Sequence, residues 1–295
     1  MKKIALILVA IMLAVSLIAC NNASTEDEND AGVADYAKPV REHAVVMEMA
    51  GQMVEVGTLT YEDGVGDNAT ITKYTGLYTD HPTKIDEIVG EGISARTATK
   101  IGNEAFYYCT AITSITLPST IEYIGDWAFA GCTGLKTIVI PASVTHIGKG
   151  AFNGCENLEA IIFEEGSKLE TIDDYAFNGC TALSTFVIPE GVKSIGARAF
   201  GDCENIEKLK TPASLEAIGD VAFVGCTKLN VAGALDVSAS VNIATKYEIV
   251  NGQKREVVCL GKHIFAGIDV ANIVAPEDKE CEMYKYLFPT TNEQE

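Results

Sequence analysis

The chain has 295 residues, 47% of them hydrophobic and 21% charged, with 26 Gly, 9 Cys and one Trp. That apolar fraction excludes a wholly disordered protein, and eight Pro are too few for a collagen-like or polyproline chain. With 41 acids against 22 Lys and Arg, the formal charge of −19 has the wrong sign for nucleic acid or for electrostatic docking on anionic lipid.

Met1-Lys2-Lys3 is a short basic start, and Ile4 to Ala19 is apolar apart from Ser16. The stretch is short for a membrane span and ends in small residues without a basic flank, as a processing signal does. Its last residues, Leu17-Ile18-Ala19-Cys20, resemble the bacterial lipobox. The resemblance implies cleavage after Ala19, thioether lipidation of Cys20 and acylation of the new amine. Two or three acyl chains hold a protein on a bilayer where one is marginal. An ordinary secretory signal or an uncleaved anchor is the alternative. Residues 20–40 then form a lipidated Cys and an acidic tether, with no Lys or Arg before Lys38 and too little apolar surface to fold.

Residues 41–84 are expected to form an N-terminal cap. Thr58 to Tyr61 and Ala69 to Tyr74 flank the turn-rich Glu62 to Asn68, which is a hairpin signal.

From residue 85 to 276 the chain repeats. Phe recurs at 106, 129, 152, 177, 200 and 223, in steps of 23, 23, 25, 23 and 23, and a Cys follows each Phe by three residues. One unit runs Leu135-Lys-Thr-Ile138-Val-Ile140-Pro141-Ala-Ser-Val144-Thr-His-Ile147-Gly148-Lys-Gly-Ala151-Phe152-Asn-Gly-Cys155. Ile115–Leu117, Ile138–Ile140, Ile161–Phe163 and Phe186–Ile188 alternate with the period of a strand. Pro118, Pro141, Pro189 and Pro212 end each ladder by withholding an N–H. Gly102, Gly125, Gly148, Gly196 and Gly219 follow an Ile and are expected at positive φ, with Asp173 adopting αL in the fourth copy. Ala-Phe-x-x-Cys has the spacing of one helical or 3-10 turn with Phe and Cys inward. One unit cannot bury enough surface to fold alone; stacked units share a core.

The unit Leu-x-x-Ile-x-Ile-Pro-x-Ser-Val-x-x-Ile-Gly-x-x-Ala-Phe-x-x-Cys resembles the BspA-type leucine-rich repeat of bacterial surface lipoproteins. The resemblance implies an α/β-type leucine-rich repeat solenoid of about seven coils. A parallel sheet would line one side and short helical or 3-10 turns the other, with β-hairpin caps. It also implies adhesion, protein binding or host contact at a cell surface.

Val257 to Ile268 reads as a seventh copy with Ile in place of Cys, displaced by an insertion near 236–256. Asn251-Gly252 between Tyr247–Val250 and Gln253–Val258 predicts a protruding hairpin. Residues 277–295 would close the stack with a short helix near 280–287.

No catalytic or phosphate-binding motif is present, the four His are scattered, and no cofactor or metal site is expected. The six ladder Cys read as small apolar rungs. Cys259 and Cys281 lie off the ladder, where a bond between them is an open alternative, and Cys259 with His263 is too small a set for a metal. Surface remains. Outward positions stack as Ser114/Thr116, Thr137/Val139, Ala160/Ile162, Thr185/Val187 and Lys208/Lys210, an apolar and hydroxyl patch running into a basic edge. Thr137, Val139, Ala160, Ile162, Thr185, Val187, Lys208 and Lys210 are therefore the candidate contacts for a protein or other surface macromolecule. The plain alternative is that strands favour β-branched residues. The expected whole is non-catalytic and held to the membrane through lipid, with no nucleic-acid partner. A structural envelope scaffold is the first alternative, and a carbohydrate binder, which lacks exposed aromatics on the expected concave face, is the second.

Overall fold

The computed structural model describes residues 40–49, 52–76, 81–85, 88–89, 95–184, 186–237, 246–250, 253–257, 263–266 and 268–275, with Glu277, Lys279, Lys285 and Leu287. The lipobox with Cys20, the acidic tether before residue 40, Thr185, Cys259 and Cys281 lie outside them.

Three antiparallel strands, β1 (Val40–Met49), β2 (Gln52–Asp63) and β3 (Asn68–Gly76), precede the coils where the N-terminal cap is expected, and the expected hairpin is the β2–β3 pair. β3 runs parallel to Arg96–Ile101 and hands the sheet on to the coils. Asp63 ties this junction, with one carboxylate oxygen 3.0 Å from Arg41 and the other 3.5 Å from Arg96. Tyr74 supplies a Phe-like rung from outside the repeat. Its ring stacks on Phe106 at 5.3 Å, and its amide donates to Ala105 as Phe106 does to Ala128.

Most coils carry two short extended segments, so the single sheet expected on one side is corrected. Tyr123–Ile124, His146–Ile147, Thr171–Ile172, Ser194–Ile195 and Ala217–Ile218 continue the cap's sheet in parallel register. A second sheet joins His81–Lys84, Ile112–Thr116, Thr137–Ile140 and Ala160–Phe163. A third joins Leu209–Lys210, Leu235–Asp236 and Ile273–Val274. The cause is the corner that each Pro opens: Ile121, Val144, Val192 and Leu215 close tight turns on Pro118, Pro141, Pro189 and Pro212. The chain leaves each corner extended, and its next two residues pair again. The predicted strand at Phe186–Ile188 does not form.

The expected helical turns, and with them the α/β description, are also corrected. Around Phe106 the amides of Ala105, Tyr107 and Cys109 close turns on Gly102, Glu104 and Phe106. The intervening amides of Glu104, Phe106 and Tyr108 donate instead to Asp126, Ala128 and Ala130 of the next coil. A helix spends every amide on itself; here every second one is spent on a neighbour. This alternation demands left-handed backbone two residues before and two after the Phe. Glu104, Tyr108, Trp127, Tyr175, Arg198, Asp202, Val221 and His263 take φ of 48° to 58° there, and Gly131, Gly150, Gly154, Gly179 and Gly225 fill the remaining places. Among the described residues, 3-10 geometry occurs at Thr227–Leu229 and Val270–Asn272, and only Lys285 and Leu287 of the expected terminal helix are described, as helical.

Gly102, Gly125, Gly148, Gly196 and Gly219 do not have positive φ, nor does Asp173. The glycines are there because the coils touch. A Cβ on Gly125 would lie 2.6 Å from the carbonyl carbon of Gly102, and the equivalent clash recurs at Gly196 and Gly219. Asp173 instead places its carboxylate 3.0 Å from His146 Nε2.

One core cluster runs from Val45 to Leu287. Its axis is the file Phe106, Phe129, Phe152, Phe177, Phe200, Phe223 and Phe265, with neighbouring ring centroids 4.9 to 5.9 Å apart and planes within 17° of parallel. Phe265 therefore continues the stack across the long insertion, where Lys246–Val250 and Gln253–Val257 pair as the expected hairpin. Beside the Phe file runs a thiol file. Cys132, Cys155, Cys180, Cys203 and Cys226 each donate Sγ–H to the Phe carbonyl of the preceding coil, at 3.0 to 3.2 Å.

Candidate functional site

The second sheet turns its alternate residues to solvent because strand side chains have a period of two. Ile138, Ile140 and Ile161 are buried, which leaves Val139 and Ile162 outward. The register Thr116↔Val139↔Ile162 aligns these in one row, with Ser114, Thr137 and Ala160 in the row beside it. Val139 is 40% exposed, Ile162 52% and Val187 71%, so the apolar content of the row rises toward the fourth coil. Thr137, Lys208 and Lys210 are exposed and Ala160 is half-buried. Lys210 is in register with Asp236 and then Val274, so the expected basic edge meets an acid one coil later.

Between the third and fourth coils this side opens. Ser184 still donates to Glu159, at 3.1 Å, but no backbone hydrogen bond joins Phe186, Val187 or Ile188 to either neighbouring coil among the described residues. Two sequence features cause it. The step from Phe152 to Phe177 carries two extra residues, which swell the corner at Glu164 to Lys168, with Gly166 at φ 76°. Phe163 and Phe186 also replace the aliphatic residues of other coils. Phe186 reaches into the aromatic file, 5.7 Å from Phe177 and 4.7 Å from Phe200, and meets Phe163 edge-on at 6.0 Å. The bulk of two rings holds the coils apart. The result is an open groove of about 490 Å³ lined by Ile161, Ile162, Phe163, Val187 and Pro189, with exposed Glu164 and Glu190 at its rim.

The other sides are occupied structurally. Trp127 packs on Gly150 of the next coil. Tyr123 stacks on His146 at 4.7 Å, and burial, with Asp126 and Asp173 nearby, pushes its hydroxyl pKa up. Burial raises the Cys155 and Cys226 thiols to about 12 and holds Cys180 and Cys203 well above their ordinary value. The thiols are thus protonated and inaccessible as nucleophiles. Among the described residues no group of three or more His, Cys, Asp or Glu is placed to hold a metal ion.

Two polar columns escaped the sequence reading. Thr120, Ser143 and Ser214 donate their hydroxyls to Ala98, Ile121 and Val192 of the preceding coil, at 2.6 to 2.8 Å. Asn103, Asp126 and Asp174 accept amides from Asp126, Lys149 and Ala197, each 23 residues on. The Ser of Pro-x-Ser and the acid after Ile-Gly were the available signals.

The repeat thus has a beat of 23 residues, one Phe and one Cys per coil, and a parallel stack. The BspA type leucine rich repeat region family matches residues 99–230 in six copies. Residues 99–230 carry BspA-type leucine-rich repeats. A leucine rich repeat protein of T. pallidum is similar over 71% of this chain and 86% of its own, at 27% identity and a TM-score of 0.57. A leucine rich cell surface protein of Faecalibacterium prausnitzii matches 66% of this chain and 56% of its own, at 28% identity and a TM-score of 0.49. No curated protein matches the chain. The groove interrupts the BspA-type repeat at its fourth coil, inside the matched region.

Proposed function

We propose that this is an exported, lipid-anchored surface protein whose solenoid binds a macromolecular partner without catalysis. The observation that carries the reading is the row Val139, Ile162 and Val187, in which three large aliphatic side chains stand in solvent on consecutive coils. A strand's taste for β-branched residues explains their type, but not a rise to 71% exposure beside an open groove. Thr137, Ala160, Lys208 and Lys210 are further contacts in this proposal, and Thr185 joins them from its position in the repeat alone. The buried, protonated thiols favour a structural over a chemical role for the repeat cysteines. Export and anchoring rest on Met1 to Cys20: a basic start, an apolar stretch and the lipobox-like ending. The divisions 1–19, 20–40, 41–84, 85–276 and 277–295 belong to the same proposal.

The binding face is tested by a pull-down or adhesion assay with Val139, Ile162 and Val187 all changed to Asp. Loss of binding by the folded triple variant is expected; unchanged binding removes this face. Cys20→Ala is expected to abolish incorporation of labelled fatty acid and to release the protein from membranes. Persistent membrane association would point to an uncleaved anchor.

A further inference from the structure

We infer that the opening between the third and fourth coils is a slot for an extended, basic segment of a partner protein, which adds as a strand to the edge at Ala160–Phe163. The inference rests on the binding reading above and specifies the chemistry of the partner.

The backbone carries the first part. Ala160 and Glu164 donate their amides back to Lys136 and Ile140 of the preceding coil. In a parallel ladder the N–H and C=O of successive residues point alternately to the two sides, so Ile161 and Phe163 present theirs toward the fourth coil. There they meet no backbone partner, since Phe186, Val187 and Ile188 make no such bond among the described residues. Unpaired sheet edges recruit extended segments, with main-chain bonds supplying affinity and alternate side chains supplying selectivity. The slot is also held open. Ser184 bonds Glu159 at one end of the fourth coil's segment, at 3.1 Å, and Lys193 bonds Glu170 beyond the next corner, at 2.8 Å. Both coils are anchored, and Phe163 with Phe186 keeps them from closing.

The side chains carry the second part. Ile162 and Val187 flank the opening, 52% and 71% exposed, and offer apolar contact to every second residue of an added strand. Glu164 and Glu190 stand exposed at the rim, on a chain of charge −19. Alternating apolar and basic residues match this pattern, whereas an acidic strand would be repelled.

The probe is a fluorescent nonapeptide of alternating Lys and Val, titrated by anisotropy into the full-length chain in neutral detergent. Three companion probes are the peptide N-methylated on alternate residues, a block rearrangement of the same composition, and a version with Glu in place of Lys. The alternating probe is expected to bind, and each companion to bind about tenfold or more weakly, because two or three backbone bonds or the charge match are lost. Ile162→Asp and Val187→Asp are expected to weaken the alternating probe about tenfold or more, and Val139→Asp, one coil further away, by less than about threefold. Thermal melts of the three variants verify that each is folded.

Equal binding of the N-methylated probe would overturn strand addition, as would absence of binding by the alternating one. Equal losses at all three positions without an effect of N-methylation would leave the row as a binding face and dismiss the slot. Sedimentation showing self-association that Val187→Asp removes would assign the slot to a second copy of the chain and overturn the inference.

Discussion

The turn-bearing side and the second-sheet side of the solenoid are built from the same coils, yet one is continuous and the other is broken. On the turn side, every rung from Tyr74 through Phe106, Phe129, Phe152, Phe177 and Phe200 to Phe223 donates its amide to the coil after it, at 2.7 to 3.1 Å. The two extra residues before Phe177 and the long insertion before Phe265 leave this ladder intact. On the sheet side, the corresponding chain of bonds, Lys136 to Thr113, Glu159 to Lys136 and Ser184 to Glu159, stops at the fourth coil. The difference follows from burial. The turn side holds Phe rings and thiols with no exposure to spare, so an unmade bond there would leave a polar group without water. The sheet side faces solvent, which satisfies whatever the neighbouring coil does not, and a bulky Phe186 is tolerated. Stability is thereby concentrated on one side.

High pH attacks the continuous side most strongly. The folded thiols have raised pKa, so their contribution is fully present below the unfolded value of 9.0 and is lost as pH climbs through the folded values near 12. Each such thiol removes about 1.4 kcal/mol per pH unit above that threshold. Cys155, Cys180, Cys203 and Cys226 together would consume an ordinary domain's stability within about two units. Thermal melts from pH 7 to 11 should be flat at first and then collapse. A Cys155→Ala/Cys180→Ala variant should show about half the slope; an unchanged slope would remove the thiols from the explanation.

Phe177→Ala is next, expected to cost about 3–5 kcal/mol in urea unfolding because it empties a rung between two stacked rings. Ile162→Ala, on the open side, should stay within about 0.5 kcal/mol. Similar costs for the two would erase the contrast between the sides.

Close approach and backbone conformation separate at two glycines. Gly125→Ala drives a Cβ to 2.6 Å from the preceding backbone, and a loss of about 1–3 kcal/mol is expected from overpacking. Gly154→Ala meets nothing within 4 Å but sits at φ 70°, so only its left-handed strain, about 1 kcal/mol, should appear. Reversal of that order in denaturant titrations would mean that coil contact does not govern the Ile-Gly position.

The smallest effect on stability is expected from Phe186→Ile, within about 1 kcal/mol, yet it should let the fourth coil pair. Its signature is hydrogen exchange: the Ile161 and Phe163 amides, open in the native chain, should become protected. If they stay fast, the two-residue insertion rather than the ring keeps the sheet apart.

By itself the sequence determined the 23-residue beat, the inward file of Phe and Cys and the outward row of Val139, Ile162 and Val187, because each depends only on period. The hairpins were also legible, since Glu62 to Asn68 and Asn251-Gly252 are turn chemistry. Tertiary structure alone decided how the backbone groups were shared. Whether Phe106 donates its amide within its own turn or to Ala128 depends on the coil beside it, and that choice replaces a helix with alternating turns. The same holds for the Ile-Gly glycines, which a local reading assigns to φ and the stack assigns to contact. It holds as well for the opening at Phe186, a residue that looks like another inward strand position until its ring has to fit between Phe177 and Phe200. Periodicity is written along the chain, but the partners of its hydrogen bonds are chosen across it.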